Sequence, residues 1–445
     1  MTHDGSALRF PEGFLWGTAT ASHQVEGGNS NNDWWAWEQI PGKISDGTTS
    51  GMAADWWQRA EEDFDRAAEL GNNALRLSVE WSRIEPRQGE WDENALARYR
   101  AMLLALHDRG IDPMVTLHHF TTPLWLADKG GWENPEIVGL FGRYTEKVVA
   151  ELGDLCHLWC TINEPMVYVA QSYFDIVCPP GAKSLPRAIK VFRNMVRAHG
   201  LAYRTIHHLS PKAQVSIAKH MRVFDPANPQ SKADGLAARW LDHLFNGAEL
   251  TALTTGRIPP LYGAWELVPE AMDSLDFIGL NYYSRDMIAF DLTDPGSLFA
   301  RRFSSREGEF SMEGWGEVYP EGIYRLLKRL STYRKPIYVT EVGVPDNTDE
   351  QRPRFILTHA AATHRAIEEG VPVKGWYFWS LVDNFEWAEG YSARFGLIDV
   401  DPETQVRQIK ESGRLYGELA KANAITPEMV RKWAPEAMDR VFGQP

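Results

Sequence analysis

Leu158-Trp159-Cys160-Thr161-Ile162-Asn163-Glu164-Pro165 sets the reading of the fold. Leu158–Ile162 is a short apolar, β-branched run and reads as a buried strand; an amide and a carboxylate follow it, and a proline stops it. The same grammar recurs along the chain. Further candidate strands are Leu15–Ala19, Ala74–Val79, Asp112–Leu117, Gln214–Ala218, Phe277–Leu280, Ile337–Thr340 and Gly375–Phe378. Between them lie amphipathic stretches with apolar positions near a 3.6-residue period: Ala54–Leu70, Glu93–Arg109, Pro135–Leu152, Leu185–Leu209, Lys232–Thr254, Pro320–Tyr333 and Pro353–Glu369. Several run into a glycine, as at Leu70-Gly71 and Arg109-Gly110, where helices commonly stop.

Eight strands alternating with helices predict a parallel α/β architecture. A closed (β/α)8 TIM barrel explains the count without leaving an edge strand; an open doubly wound sheet is the alternative. No Gly/Ser linker or charge run divides the sequence, so residues 1–445 read as a single barrel domain. Ser284–Tyr319 lacks clear periodicity and reads as a long functional βα loop. The tail after Ile425 reads as a short terminal helix or extension.

The formal net charge of −14 argues against nucleic acid and against an anionic membrane surface as partners. No run approaches the ~18 apolar residues of a membrane span. Met1 to Phe10 lacks an apolar stretch with a cleavage site, so no signal peptide is expected. Cys156, Cys160 and Cys178 make no disulfide framework and too few soft ligands for a structural zinc, and read as buried thiols in a reducing, cytoplasmic setting. Neither Gly-x-Gly-x-x-Gly nor a P-loop occurs, so no nucleotide cofactor is expected. Tryptophan is the compositional excess, 18 of 445 residues. Its flat faces suit either a large core or the C–H faces of sugar rings.

In a barrel the functional residues sit where strands end at the C-terminal face. That filter selects His119, Asn163, Glu164, Asn281, Tyr282, Tyr283, Glu341, Trp379, Asp383, Asn384 and Glu386. Two carboxyl groups facing one pocket are what hydrolysis of a glycosidic bond requires. A spacing of ~5–5.5 Å gives retention and ~6.5–9.5 Å gives inversion, and spacing is not legible in sequence. Asn163 is placed to bind a sugar 2-hydroxyl, and Arg76, ending the second strand, to keep Glu341 ionised. Tyr283 is placed to hydrogen-bond and orient Glu341. His118 and His119 are adjacent in a strand, point to opposite faces and cannot readily share a metal; none is expected.

These residues resemble glycoside hydrolase family one, the β-glucosidase family. Phe14-Leu15-Trp16-Gly17-Thr18-Ala19-Thr20-Ala21-Ser22-His23-Gln24-Val25-Glu26-Gly27 is similar to its opening signature. Leu117-His118-His119-Phe120, Thr161-Ile162-Asn163-Glu164-Pro165, Asn281-Tyr282-Tyr283, Val339-Thr340-Glu341-Val342-Gly343 and Trp379 to Trp387 resemble its further motifs, in order. The resemblance implies Glu341 as nucleophile and Glu164 as acid, then base. It implies Gln24, His119, Asn163, Glu386 and Trp387 on the hydroxyls of the terminal sugar, with Trp379 beneath the ring. Trp315, in Gly314-Trp315, would form a platform for the leaving group.

The implied activity is that of a retaining exo-β-glycosidase on small-molecule β-glycosides. The first candidates are cello-oligosaccharides and aryl or alkyl β-glucosides, with β-galactosides and β-fucosides next. Val342, Met166 and Phe120 depart from the Asn, Trp and Trp frequent in the family. The phospho-glycosidase branch places Ser, Lys and Tyr where this chain has Glu386, Ala393 and Phe395; a carboxylate there repels a phosphate. Two rival readings are a silent sugar-binding protein on the same fold and an endoglucanase acting on polymers.

Overall fold

The computed structural model describes residues 7–443 except 264, 307 and 312–314. Eight parallel strands close on themselves: β1 Leu15–Ala19, β2 Ala74–Ser78, β3 Asp112–His118, β4 Leu158–Asn163, β5 Gln214–Pro226, β6 Ile278–Phe290, β7 Ile337–Val342 and β8 Val373–Trp379. Each pairs with the next in order, and β8 returns to β1 from Gly375↔Leu15 to Trp379↔Ala19. The predicted barrel is therefore closed and the open-sheet alternative falls.

Side chains alternate across the wall. Ala74 points inward and Leu75 and Leu77 outward, because successive residues of a strand face opposite sides. The barrel interior holds Met114, Cys160, Ala218, Tyr338 and Tyr377; a larger outer layer packs strands against helices such as Glu93–His107, whose N-terminus is capped by Asp92. Burying one such leucine contributes about 1.5–3 kcal/mol, so the outer layer supplies most of the cohesion. Cys156, Cys160 and Cys178 are buried and unpaired. Among the described residues no helix is long and apolar enough to cross a membrane.

Three expectations need correction. The fifth and sixth strands run far beyond Ala218 and Leu280, staying paired to Pro226↔Ile288. Ser284–Tyr319 is therefore not one irregular loop: it opens as strand to Phe290, continues through Ala300–Phe303 paired antiparallel to β6, and ends in the pairing of Glu309–Phe310 with Glu317–Val318. The bidentate Arg285–Glu317 ion pair fastens the far end back to β6, a long-range contact that periodicity does not reveal. Lys232–Thr254 is not one helix either. It is Lys232–Asp242 and Ala248–Thr255, joined by a π-helical turn at His243–Gly247. Such turns gather at functional sites; here the turn brings Phe245 and Asn246 onto β5, where Asn246 bonds both the N–H and the carbonyl of Arg222. The tail forms two short helices, Pro427–Trp433 and Met438–Phe442.

Lys219 of β5 reaches outward, and its buried ammonium donates to Glu249 (2.6 Å) and to the Phe245 carbonyl (3.0 Å). Removing one partner of a buried ion pair strands the other charge, a cost of about 3–5 kcal/mol. Lys219→Met is expected to lose stability by about that much in chemical denaturation, with Lys219→Met/Glu249→Leu recovering most of it. Equal losses in single and double variants would show that the pair does not fasten β5 to this helix.

Candidate active site

Arg76 lies fully buried inside the barrel and organises its C-terminal end. Its Nε donates to Thr116 Oγ1 (2.9 Å), Nη1 to Glu341 Oε1 (2.5 Å) and Nη2 to Asn163 Oδ1 (2.7 Å). Tyr283 Oη donates to the other oxygen of Glu341 (2.7 Å). Glu341 thus has one oxygen on a guanidinium and one on a phenol.

Glu164 is tied into the same network. Thr340 Oγ1 donates to Asn281 Oδ1 (2.6 Å), which fixes the amide so that Nδ2 donates to Glu164 Oε1 (2.8 Å) and Asn163 Oδ1 (3.1 Å). His220 Nδ1 lies 3.1 Å from the same Glu164 Oε1.

Both glutamates sit at a β-bulge. Between Cys160 and Asn163, β4 carries one residue more than β5, and between Val339 and Glu341, β7 carries one more than β6. An extra residue breaks the strict alternation and re-aims the side chains beyond it. So Thr161 turns outward to His199 while Asn163 turns inward to Arg76. Glu164 itself has φ +46°, a left-handed conformation uncommon without glycine, and its carbonyl starts the helix Pro165–Tyr173.

Opposite the carboxyl pair lies a second polar cluster. Gln24 Nε2 donates to Glu386 Oε2 (3.1 Å), Asn384 Oδ1 (3.0 Å) and the Phe385 carbonyl (3.0 Å), and Trp379 Nε1 donates to Glu386 Oε2 (3.3 Å). His119 faces this cluster, stacked on Trp379 and Trp387 at 5.9 and 6.0 Å, and its Nε2 lies 3.0 Å from Asn163 Nδ2. His118 turns to the helix side and accepts from Trp132 Nε1. Trp315 forms the outer wall, edge-on to Phe395 (5.0 Å), which also packs edge-on against Tyr283. Gly314 lies outside the described residues. The whole pocket encloses about 430 Å³. Among the described residues no group of three or more His, Cys, Asp or Glu is placed to hold a metal.

Three carboxyls share this enclosed site, and burial is the largest single influence on each. Burial, reinforced by the charges of Glu341 and Glu164, pushes Glu386 up to about 8 against the Trp379 and Gln24 donors. Burial likewise pushes Glu341 up to about 7, opposed by Arg76 and reinforced by Glu164. Burial raises Glu164 too, but His220 and the Asn281 amide outweigh it and leave it below the usual range. Burial, with Arg76 adding to it, holds His119 well below 6.5 and therefore neutral.

The structure gathers Gln24, Arg76, His119, Asn163, Glu164, Asn281, Tyr283, Trp315, Glu341, Trp379, Glu386, Trp387 and Phe395 around one pocket or against its walls; Tyr282 and Asp383 do not join them, because Tyr282 Oη turns outward to the Tyr319 carbonyl (2.6 Å) and Asp383 pairs with Lys410. It adds His220, Arg222 and Phe245, which sequence reading misses because the apolar run of the fifth strand ends at Ala218. The polar pair Lys219-His220, just beyond that end, is the available signal.

The family model for glycosyl hydrolase family 1 matches residues 6–425. The beta-glucosidase A of Thermotoga maritima is 35% identical over 446 residues, covering 94% of this chain and 99% of that protein. A beta-galactosidase of Pyrococcus woesei is 31% identical, covering 94% and 98%. The structure of a beta-glycosidase from Pyrococcus horikoshii superposes with a TM-score of 0.90 at 38% identity, covering 99% of both chains. The chain belongs to glycosyl hydrolase family 1 and is a glycosidase.

Proposed function

We propose that the protein is a retaining exo-β-glycosidase that removes terminal β-D-glucosyl residues from cello-oligosaccharides and aryl or alkyl β-glucosides. β-Galactosides and β-fucosides are its second substrates. The observation that carries the reading is the single hydrogen-bond chain Glu341–Arg76–Asn163–Asn281–Glu164, which sets two buried carboxyls into one pocket.

Glu341 is the nucleophile. Arg76 is charged at every working pH and donates to it, and Tyr283 donates as well; both oppose the burial that raises Glu341 and orient its carboxyl. Among the described residues Glu164 has no guanidinium bonded to it, only the Asn281 amide and the His220 ring, and is the acid of the pair. Glu341 attacks the anomeric carbon while Glu164 protonates the departing glycosidic oxygen; Glu164 then takes a proton from the water that releases the sugar.

The other end of the pocket suits one terminal sugar. Gln24 Oε1 and His119 Nδ1 are buried without a protein hydrogen-bond partner, and each is free to meet a hydroxyl. Glu386, held by Gln24 and Trp379, is the further acceptor, and Trp387 and Asn163 complete the ring of contacts. Three buried free thiols suit a reducing compartment, and we infer the cytoplasm, which fractionation of the producing cells checks.

The wild type is expected to release p-nitrophenol from its β-D-glucoside, and Glu341→Gly to be inactive until azide restores turnover as the α-glucosyl azide. Deprotonation of Glu164 removes the acid, so kcat/KM is expected to fall on the alkaline side. A wild type inert towards aryl β-glucoside, galactoside and fucoside alike would overturn the assignment and favour a silent sugar-binding protein.

A further inference from the structure

His220 lies at the pocket and belongs to none of the motifs above. Its ring lies parallel to that of Tyr283 (5.7 Å, 11°) and edge-on to Phe245 (5.8 Å, 85°), so two aromatic walls fix its plane. Tyr283 is the phenol that holds Glu341, and Phe245 comes from the π-helical turn. Its Nδ1 is 3.1 Å from Glu164 Oε1.

The tautomer is set by the neighbours. Asn281 Nδ2 already donates to Glu164 Oε1, and Thr340 fixes that amide, so Oε1 is an acceptor. An acceptor facing Nδ1 requires the hydrogen on Nδ1. With two donors on Oε1, the proton of a neutral Glu164 sits on Oε2, which has no hydrogen-bond partner among the described residues.

We propose that His220 is a positioning residue for the acid/base carboxyl: with Asn281 it pins Oε1 of Glu164, presents Oε2 with its proton to the leaving oxygen, and tunes the pH range of that transfer. The proposal rests on Glu164 being the acid/base.

The charged and titratable groups around the ring are few. Glu164 faces it from β4, and Tyr283, in contact with Glu341 of β7, from β6. On its own strand Lys219 points away into its pair with Glu249, and Arg222 pairs with Asp286 at 3.2 Å. From the helical side Phe245 is uncharged, and at the pocket mouth Arg302 pairs with Asp175 at 3.4 Å. Glu164 is thus the acid to which His220 is directly coupled. A donor to a carboxylate favours its ionised form, so losing it moves the acid's deprotonation to higher pH.

The test is kcat/KM of wild type, His220→Leu, His220→Asn and Glu164→Ala on phenyl and 2,4-dinitrophenyl β-D-glucoside across pH, with thermal unfolding confirming the fold. The dinitrophenolate leaves without a proton; phenolate needs one. His220→Leu is expected to lose about 10-fold on the phenyl glucoside, a fraction of a general acid's roughly 10²–10⁴. It should lose under about twofold on the dinitrophenyl glucoside, with its alkaline limb moved up. His220→Asn, which keeps a donor and no charge, should recover part of the phenyl loss and decides the matter if the leucine variant does not fold. Equal losses on both substrates, or an unmoved alkaline limb, would overturn the positioning role. Glu164→Ala separates the two readings: if it too fails to distinguish the substrates, the acid/base assignment falls with it. If it does distinguish them and the His220 variants do not, the His220 proposal alone falls.

Discussion

Arg76 imposes the constraint on which the site depends. A guanidinium buried in the interior of a barrel is costly unless charge and hydrogen bonds meet it on several sides. Thr116, Asn163 and Glu341 supply three acceptors from β3, β4 and β7, so one side chain of β2 fixes the relative position of three other strands. The cation gives Glu341 a charge partner that does not titrate, and the amide of Asn163 carries the same restraint on towards Asn281 and Glu164. A buried ion pair need not add stability over an apolar replacement; here it orients the carboxyl proposed as the nucleophile.

Backbone irregularity then does what strand alternation cannot. A regular strand would send Thr161 and Asn163 to the same face, and Thr340 and Glu341 to opposite faces. The one-residue bulges in β4 and β7 let Asn163, Thr340 and Glu341 all reach the network, and the left-handed turn at Glu164 directs its carboxyl into the pocket. Both glutamates therefore sit at the ends of barrel strands with locally unusual backbone, as binding and catalytic groups often do.

Much of this is legible in the sequence. The eight apolar runs appear as strands because fully buried strands are continuous apolar segments, and the residues after them are polar because the barrel opens there. Glu164, Glu341 and Tyr283 are found by that rule. The bulges are not, since they are a mismatch between neighbouring strands and exist only in the pairing. The extensions of β5 and β6 are hidden because Arg222, Asp225, Arg285 and Asp286 break the apolar pattern while their charges are satisfied across the ladder and by Glu317 and Arg325. His220 is hidden with them, and so is the π-helical turn, whose sequence keeps a helical period through His243–Gly247.

The central claim is a division of labour: Glu341, gripped by Arg76 and Tyr283, takes the sugar covalently, and Glu164 moves the proton. The direct measurement is to incubate the protein with 2,4-dinitrophenyl 2-deoxy-2-fluoro-β-D-glucoside, whose fluorine slows release of a glycosyl-enzyme, and to locate the added mass by peptide mapping. The account predicts one fluoroglucosyl group per chain, on Glu341. A label on Glu164 or Glu386, or an enzyme that turns over glucosides yet never carries the label, would contradict it.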